Sequence, residues 1–413
     1  MIAKSAWVVL GCCGCAAAQP SYEIFDLTDL LDPMGYPIAT AESVNNSGQI
    51  VGSAFGGGDD YEHGVIWEGA EGVSLLAVLP RDNSSGARRI ENDGVISGVS
   101  NFVEIVDNGH IILIFEDQKA TAWTEGVPAN LNEQVSGGAT YIDLRMAMDR
   151  VDSGEFIGFG RSFGEAPFTS YGFMLEPDGM VTDLGALTHP VAANESGQIV
   201  GFNGTGQDKA HLWDNGVLTN LHENQGFTGV TSRARAITED GVILGEAQFD
   251  ISKPEEPTAW VEGVAARLVP EVNRPQGVAT GANGAGVWVG YYNDLDDLSS
   301  EWMSFRIDDG VRTDLFDLLV DVDGWTSLLA LDINDQGWIV GYGIHDMQLG
   351  RAFLMVPTCT VDFNGDGALN ILDFVALQGA FQNGDASADI NGDGDLNILD
   401  FVAFQGLFQA GCA

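Results

Sequence analysis

Residues 22–357 repeat one unit seven times. Each copy has an Asn- or Asp-rich turn ending in Gly, a short β-branched run that closes on a second Gly, a variable loop, an aromatic run and a further turn. The closing glycines are Gly52, Gly98, Gly158, Gly201, Gly245, Gly290 and Gly341, and successive ones lie 43–60 residues apart. A period mostly in the forties, with several short strands per unit, is typical of propeller blades. The repeat therefore predicts an all-β fold, a seven-bladed β-propeller with four-stranded blades.

The recurring turn indicates how the strands pair. Its Asn-x-x-Gly stretch, clearest in residues 43–52 and 192–201, supplies the positive-φ positions of a hairpin, and the flanking alternation supplies the two strands. The longest interval, before Gly158, contains FVEIVDNGHIILIF. This segment predicts an inserted hairpin that turns at Asp107-Asn108-Gly109.

The seventh copy lacks a fourth strand. The chain instead begins its repeat region with YEIFDLTDLL, residues 22–31, which is similar in pattern to the fourth strand of the sixth copy. An N-terminal strand that completes the last blade would remove the exposed sheet edge of an open array. We therefore expect a closed propeller rather than an open solenoid.

The repeat also resembles a known group. Its AxxINxxGQIVG and AFLW patterns are similar to those of the HAF extracellular repeat family, a group of secreted proteins without an agreed activity. The resemblance spans nearly the whole repeat region and is loose outside the Asn-x-x-Gly turn. It implies secretion and a repeat architecture, and it supplies no catalytic residues.

A twelve-residue acidic loop occurs twice near the C-terminus, at residues 362–373 and 389–400. Gly367 and Gly394 stand at position 6, where the backbone must turn sharply, and Ca²⁺ prefers six to eight oxygen ligands. The spacing predicts two Ca²⁺ ions. The predicted side-chain ligands are Asp362, Asn364, Asp366, Asn370 and Asp373 in the first loop and Asp389, Asn391, Asp393, Asn397 and Asp400 in the second, and the predicted carbonyl ligands are those of Ala368 and Asp395.

Each loop departs from an ordinary EF-hand, because position 12 is Asp and only an exiting helix follows, predicted at residues 371–381 and 398–408. A tandem of loop plus one helix resembles the type I dockerin, the module that binds cohesin domains. The resemblance covers residues 359–412. The opening Cys359 and the Gly411-Cys412 ending resemble the GC-type dockerins found on secreted proteins of planctomycete-like bacteria. The resemblance implies a cohesin-like partner or a cell-surface anchor.

Loop positions 10 and 11 depart from many dockerins, which carry hydroxyl residues there. This chain has the apolar residues Ile371, Leu372, Ile398 and Leu399 at those positions. If the dockerin resemblance holds, the partner-binding surface is apolar and does not match a standard clostridial cohesin. A calcium-stabilised module without a partner stays open as the alternative.

The N-terminus resembles a secretory signal peptide, residues 1–18, cleaved after Ala18. A lipobox-like match that ends at Cys12 is an alternative. Cleavage after Ala18 leaves Cys359 and Cys412 as the remaining cysteines. This favours a disulfide between them outside the cell, and covalent attachment through Cys412 is the alternative.

The expected organisation is a signal peptide, a propeller at residues 19–357 and a dockerin at residues 358–413, in a secreted or cell-surface protein. No run of 18 apolar residues follows the leader, so no transmembrane segment is predicted.

The charge of the chain excludes some partners. The formal net charge is −43, with 60 acidic against 17 basic residues, so nucleic acid and anionic membranes would be repelled.

The sequence contains few signs of a catalytic site. No serine or cysteine nucleophile motif and no zinc-type histidine spacing occurs. The acids to consider first for a glycosidase pair are Asp59, Asp60, Glu62, Asp294, Asp296 and Asp297, although solvated surface loops are the favoured interpretation for both groups. Four third-strand tryptophans, Trp67, Trp123, Trp213 and Trp260, are expected to pack in the core rather than form a sugar platform.

These features favour a non-catalytic, secreted protein whose propeller recognises or scaffolds an extracellular partner and whose dockerin docks onto a cohesin-like protein. An extracellular polysaccharide is one candidate ligand. The alternatives are a polysaccharide-degrading enzyme, either a glycoside hydrolase or a lyase, and a structural protein of the extracellular matrix. Acids that converge on the central channel of the ring would favour the enzyme.

Overall fold

The computed structural model describes residues 20–58, 61–107, 112–136, 142–151, 153–162, 170–204, 206–223, 225–270, 272–296, 302–358, 361–364, 370–391 and 394–410. Within these ranges the chain forms seven four-stranded antiparallel sheets followed by two α-helices. The predicted signal peptide, Cys359 and Cys412 lie outside the described residues. None of the helices in these ranges is long and apolar enough to cross a membrane.

The elements follow one another blade by blade. The first strand, β1, is Tyr22–Asp26. Blade 1 contains β2 (Ile38–Val44), β3 (Gln49–Phe55), β4 (Glu62–Glu68) and β5 (Gly72–Leu75), and blade 2 contains β6 (Ser84–Ile90), β7 (Ile96–Asp107), β8 (Ile112–Thr124) and β9 (Val127–Asn130). Blade 3 contains β10 (Ile142–Arg150), β11 (Phe156–Ser162), β12 (Ser170–Leu175) and β13 (Val181–Asp183), and blade 4 contains β14 (His189–Ala193), β15 (Ile199–Phe202), β16 (Ala210–Asp214) and β17 (Val217–Asn220).

The remaining blades follow the same plan. Blade 5 contains β18 (Ser232–Ile237), β19 (Ile243–Ala247), β20 (Glu256–Val261) and β21 (Val264–Arg267), and blade 6 contains β22 (Pro275–Ala282), β23 (Trp288–Asp294), β24 (Met303–Asp308) and β25 (Val311–Asp314). Blade 7 contains β26 (Trp325–Ile333), β27 (Ile339–His345) and β28 (Gln348–Pro357), and α1 (Ile371–Asn383) and α2 (Ile398–Ala410) follow. Short 3₁₀ helices span Leu27–Leu30, Asp32–Met34, Leu131–Glu133, Leu315–Leu318 and Ala386–Ala388.

The first strands of the blades form the inner wall of a closed ring. Each contacts the first strand of the next blade, and β26 contacts β2, which closes the circle. The predicted seven-bladed propeller is therefore confirmed. Because neighbouring strands alternate in direction, the turns between first and second strands lie at one end of the ring and the connections between second and third strands at the other. We call these ends the turn face and the loop face.

The N-terminal strand closes the last blade, as predicted. β1 pairs antiparallel with β28 over its full length. Arg351 on β28 is buried; its Nε donates to Asp26 Oδ2 at 2.8 Å, and its other nitrogens pair with Asp29 and Asp32. Burial lowers the pKa of His345, but its hydrogen bond to Asp26, at 2.7 Å, outweighs this and the pKa is raised. We call these five residues the closure clasp.

The first and second strands slip by one residue at the same place in every blade. The extra residue of each β-bulge lies ten positions before the closing glycine; these seven residues, which we call the channel ring, are Glu42, Arg88, Met148, Val191, Arg235, Thr280 and Leu331. A Cβ on a closing glycine would come within 1.9–2.4 Å of a first-strand carbonyl oxygen, which it cannot do without moving the backbone. Glycine therefore closes each repeat because the bulge leaves no room for a side chain.

The Asn of the Asn-x-x-Gly turn joins neighbouring blades. Asn45 Oδ1 accepts hydrogen bonds from the amides of Ser47 and Gln49, and its Nδ2 donates to the carbonyl of Glu91 in the next blade at 3.1 Å. The equivalent cross-blade bonds are made by Asn194, Asn283 and Asn334. The glycine of the turn has positive φ in all seven copies, as predicted. The turn thus fixes both the hairpin and the contact between blades.

Two further predictions about the blades hold. The inserted hairpin is formed by the long strands β7 and β8, which stay paired as far as Asp107 and Ile112, while its tip lies outside the described residues. Trp67, Trp123 and Trp260 are fully buried, and the indole of each donates a hydrogen bond to a backbone carbonyl. Trp213 is half-buried against another apolar cluster of the blades. These tryptophans are core residues.

Both C-terminal helices begin where the repeat predicted. Asn370 caps α1 by accepting a hydrogen bond from the amide of Leu372, and Asp373 accepts one from the amide of Asn370, so the two residues form a capping box. α1 ends at Gly384, which adopts the left-handed conformation with φ 69°. The two helices share a separate apolar core, whose buried members are Val361, Leu377, Ala388 and Phe404.

Candidate functional sites

The structure describes part of each predicted calcium loop. Asp366, Ala368 and Asp393 lie outside the described residues; the other predicted ligands, Asp362, Asn364, Asn370, Asp373, Asp389, Asn391, Asp395, Asn397 and Asp400, lie within them. In the described part of the chain, no three His, Cys, Asp or Glu side chains lie close enough together to hold a metal ion.

Position 12 of the first loop folds back towards position 3. Asp373 is fully buried; its Oδ1 accepts a hydrogen bond from the amide of Asn364 at 3.3 Å and its Oδ2 one from the amide of Asn370 at 2.8 Å. The amide of Asn370 makes the largest contribution to lowering the pKa of Asp373. A buried and ionised carboxylate therefore stands inside the loop.

The second loop repeats this arrangement and adds an unsatisfied oxygen. Asp400 accepts hydrogen bonds from the amides of Asn391 and Asn397, and the amide of Asn397 lowers its pKa. Asp389, at position 1, accepts from the amide of Gly394 through Oδ2, whereas its Oδ1 is buried without a hydrogen-bond partner among the described residues. Such an oxygen is costly unless a donor or cation meets it. Because all the predicted ligands are oxygens, the loop fits a calcium ion.

The N-terminal turns of the two helices expose an apolar surface. Ile371, Leu372, Ile398 and Leu399 are 70, 54, 71 and 55% exposed, which is unusual for aliphatic side chains. Phe374, Val375 and Val402 extend this patch, and a groove of about 680 Å³ runs between the helices. The residues predicted to face a partner are thus accessible on one small unit. We call them the helix surface.

The central channel is a second site, and sequence reasoning did not assign it. The channel contains two separate chambers: one of about 310 Å³ towards the loop face, which all seven residues of the channel ring line, and one of about 290 Å³ towards the turn face. The inner strands carry the ring residues into the channel because every bulge lies at the same depth. Each blade thus contributes one side chain to the lining of the loop-face chamber, and all seven lie at the same depth of the channel.

Two arginines of the channel ring are paired with carboxylates at the loop-face chamber. Arg88 lies 3.7 Å from Glu42 and 3.5 Å from Glu62, while Arg235 binds Glu246 through two nitrogens at 3.1 and 2.8 Å. Burial raises the pKa of Glu42. Burial lowers the pKa of Arg235, but the charge of Glu246 outweighs it and raises that pKa. The charges of the chamber are therefore paired within the protein.

Ion pairs between neighbouring blades also line the turn-face chamber. Arg89 lies 3.4 Å from Asp149 and 3.8 Å from Asp332, and Ser43 donates to Asp332 at 2.8 Å. Asp332 contributes most to raising the pKa of Arg89, and burial, followed by the charge of Asp149, raises the pKa of Glu91. These contacts join blades 1, 2, 3 and 7, so they stabilise the ring.

The acids singled out from the sequence have different positions. Glu62 begins β4, accepts a hydrogen bond from Ser53 and pairs with Arg88, which lines the loop-face chamber. Asp294 is the last residue of β23, and Asp296 lies in the turn that follows, where it binds Asn273 and lies 3.6 Å from Arg274. Asp59, Asp60 and Asp297 lie outside the described residues. Of these acids that the structure describes, Glu62 is thus the one whose partner, Arg88, lines the channel site.

Comparisons with known proteins add little. No family model and no curated protein matches the chain. An acylaminoacyl peptidase of Pyrococcus horikoshii matches 77% of this chain with 10% identity and a TM-score of 0.45, over 51% of its own length. A sialidase of Trypanosoma rangeli in complex with 2,3-difluorosialic acid matches 85% with 8% identity and a TM-score of 0.37, over 57% of its own length. The chain thus spans about half the length of these structures, and no property of theirs is transferred to it.

Proposed function

We propose that this chain is a secreted, calcium-binding propeller protein that is not itself a catalyst. Its propeller recognises or scaffolds an extracellular partner, and its C-terminal dockerin-like module docks onto a cohesin-like protein or a cell-surface anchor. The observation that carries the proposal is the Oδ1 of Asp389, which is buried and has no hydrogen-bond partner among the described residues, at the first position of a loop whose last position, Asp400, is a buried carboxylate. Two calcium ions are the cofactors.

The helix surface supports the docking role. Its exposed aliphatic side chains at positions 10 and 11 of each loop are also the first residues of the helix, so an ion that orders the loop also fixes the start of the helix. Ile371 and Ile398 occupy equivalent positions and are equally exposed. An apolar partner surface matches such a patch, and this chemistry differs from the hydroxyl-bearing surface of many dockerins.

Calcium binding is expected to produce heat when CaCl₂ is titrated into the purified full-length protein freed of metal. Replacing both leading aspartates, Asp362→Ala with Asp389→Ala, should abolish that heat, because position 1 of each loop loses its carboxylate. The matched control is Asp395→Ala, which removes one acidic side chain but keeps the carbonyl that is predicted to bind; the first loop already has Ala at this position. Isothermal titration calorimetry measures all three proteins. The absence of heat in the wild type, or equal heat in the double variant, would refute the proposal.

A second candidate function is polysaccharide degradation, by a glycoside hydrolase or lyase. It is favoured by one observation: carboxylates do converge on the channel, as Glu42 and Glu62 both contact Arg88. Glycosidases use two acids about 5–10 Å apart, of which one has a raised pKa and donates a proton. Burial raises the pKa of Glu42, as such a proton donor requires.

This candidate predicts that Glu42→Gln lowers the release of new sugar ends from a polysaccharide by about 100-fold or more, since a positioned proton donor contributes at least that much. Glu71→Gln, on the exposed surface of blade 1, should leave the rate unchanged. Reducing-end assays over a panel of polysaccharides measure it. If the wild type releases nothing from any of them, or both variants match it, the catalytic alternative is excluded.

A further inference from the structure

The loop-face chamber has unused hydrogen-bonding capacity and no unpaired charge. Arg88 lies between two carboxylates at distances longer than a hydrogen bond usually spans, so its N–H groups are not committed to close partners within the described structure. Arg235 is held by Glu246 and lies over the ring of Phe202 at 5.5 Å. A ligand with a net charge would have to break these pairs, whereas hydroxyl groups can bridge them.

The remaining walls are amphipathic. Met148 and Val191 form an apolar arc on neighbouring blades, and Tyr291 lines the chamber with its ring fixed edge-on against Trp302 at 5.5 Å. Burial, followed by the neighbouring Tyr342 and Glu246, raises the pKa of Tyr291 to about 12, so its hydroxyl stays protonated. Polar groups, an apolar arc and an aromatic side chain around one small cavity match a molecule that carries hydroxyls on its edges and C–H groups on its faces.

The shape of the chamber limits how such a molecule enters. A volume of about 310 Å³ is at the lower end for small-molecule sites, which span about 300–1,000 Å³. All seven residues of the channel ring line this chamber, and the turn-face chamber beyond them is a separate cavity. The chamber therefore admits a chain end and not the middle of a polymer.

We propose that the loop-face chamber binds the end of an uncharged saccharide chain. The inference deepens the recognition role proposed above and rests on it, but it concerns the propeller and not the calcium loops. Arg88 and Arg235 donate to sugar hydroxyls, the carboxylates paired with them accept, and Tyr291 contacts the sugar ring and donates a hydrogen bond to it from its hydroxyl.

The test uses an array of neutral and uronic-acid oligosaccharides probed with the full-length protein, in calcium and in excess chelator. We expect binding to neutral oligosaccharides under both conditions, because the chamber lies in the propeller. Val278→Trp fills the chamber and should abolish binding, whereas Ile251→Trp adds the same side chain at a position that is 63% exposed on the loop face and should keep it.

A second, more conservative variant controls for loss of binding through misfolding. Tyr291→Phe keeps the ring and removes one hydroxyl, so affinity for the bound oligosaccharide should fall about fivefold with an unchanged thermal midpoint. Binding to no neutral oligosaccharide, binding to uronic-acid chains alone, or equal affinity of wild type and Tyr291→Phe would overturn the inference. If binding is seen only with calcium, the chamber is not the site; if calcium titration gives no heat but saccharide binding persists, the module proposal fails and the chamber proposal stands.

Discussion

Arg351→Ala should lower the free energy of unfolding of the propeller by about 3–5 kcal/mol, because it removes one partner from a buried ion pair. The side chains of Arg351 and Asp26 are only 3% and 5% exposed, so the carboxylate of Asp26 would stay buried after its main cation is removed. Asp29 and Asp32 would also lose their shared partner. The N-terminal strand should then detach from β28 and leave the last blade with an open edge.

Urea unfolding, followed by tryptophan fluorescence, measures this effect. The matched control is Arg274→Ala, which removes a cation from a half-exposed pair with Asp296 and should cost about 1 kcal/mol or less. Amide hydrogen exchange in β1 should rise in Arg351→Ala and stay unchanged in the control. If the two variants unfold at the same urea concentration, the closure clasp does not hold the ring together.

Local patterns in the sequence predicted the parts of the fold that depend on neighbouring residues. The glycine of each Asn-x-x-Gly turn and the starts of both C-terminal helices depend on residues within a few positions, so the repeats in the sequence were sufficient to place them. The closing strand β1 was also predicted, because the seventh copy visibly lacked a fourth strand. The calcium ligands form a local set of the same kind, since each loop spans twelve residues.

The channel could not be assigned in this way, because it takes one residue from each of seven copies. Glu42 and Arg88 are ordinary first-strand residues in their own copies, and they become neighbours only when blades 1 and 2 pack side by side. Aligning the copies on the closing glycine and reading the residue ten positions earlier would have collected the whole channel ring. The missing step was to recognise that the glycine marks a bulge rather than the end of a strand.

The bulge at each closing glycine predicts a second large loss of stability. Gly52→Ala should destabilise the propeller by about 3 kcal/mol, at the upper end of overpacking, because the new Cβ would lie 1.9 Å from the carbonyl oxygen of Thr40. The obstacle is backbone, so no side-chain rotation relieves it. The β2–β3 pair must separate, and Glu42 must move away from Arg88.

Gly72→Ala is the matched control, because its Cβ would meet only the Cβ of Glu68 at 3.8 Å, an ordinary contact, on the outer strand of the same blade. Urea unfolding of both variants beside the wild type gives the two free energies. Because the bulge exists in every blade, Gly201→Ala, with 2.0 Å between the new Cβ and the carbonyl oxygen of His189, should repeat the loss in blade 4. Equal stability of Gly52→Ala and Gly72→Ala would mean that the strands can pair without the bulge, and the channel ring would then have no structural cause.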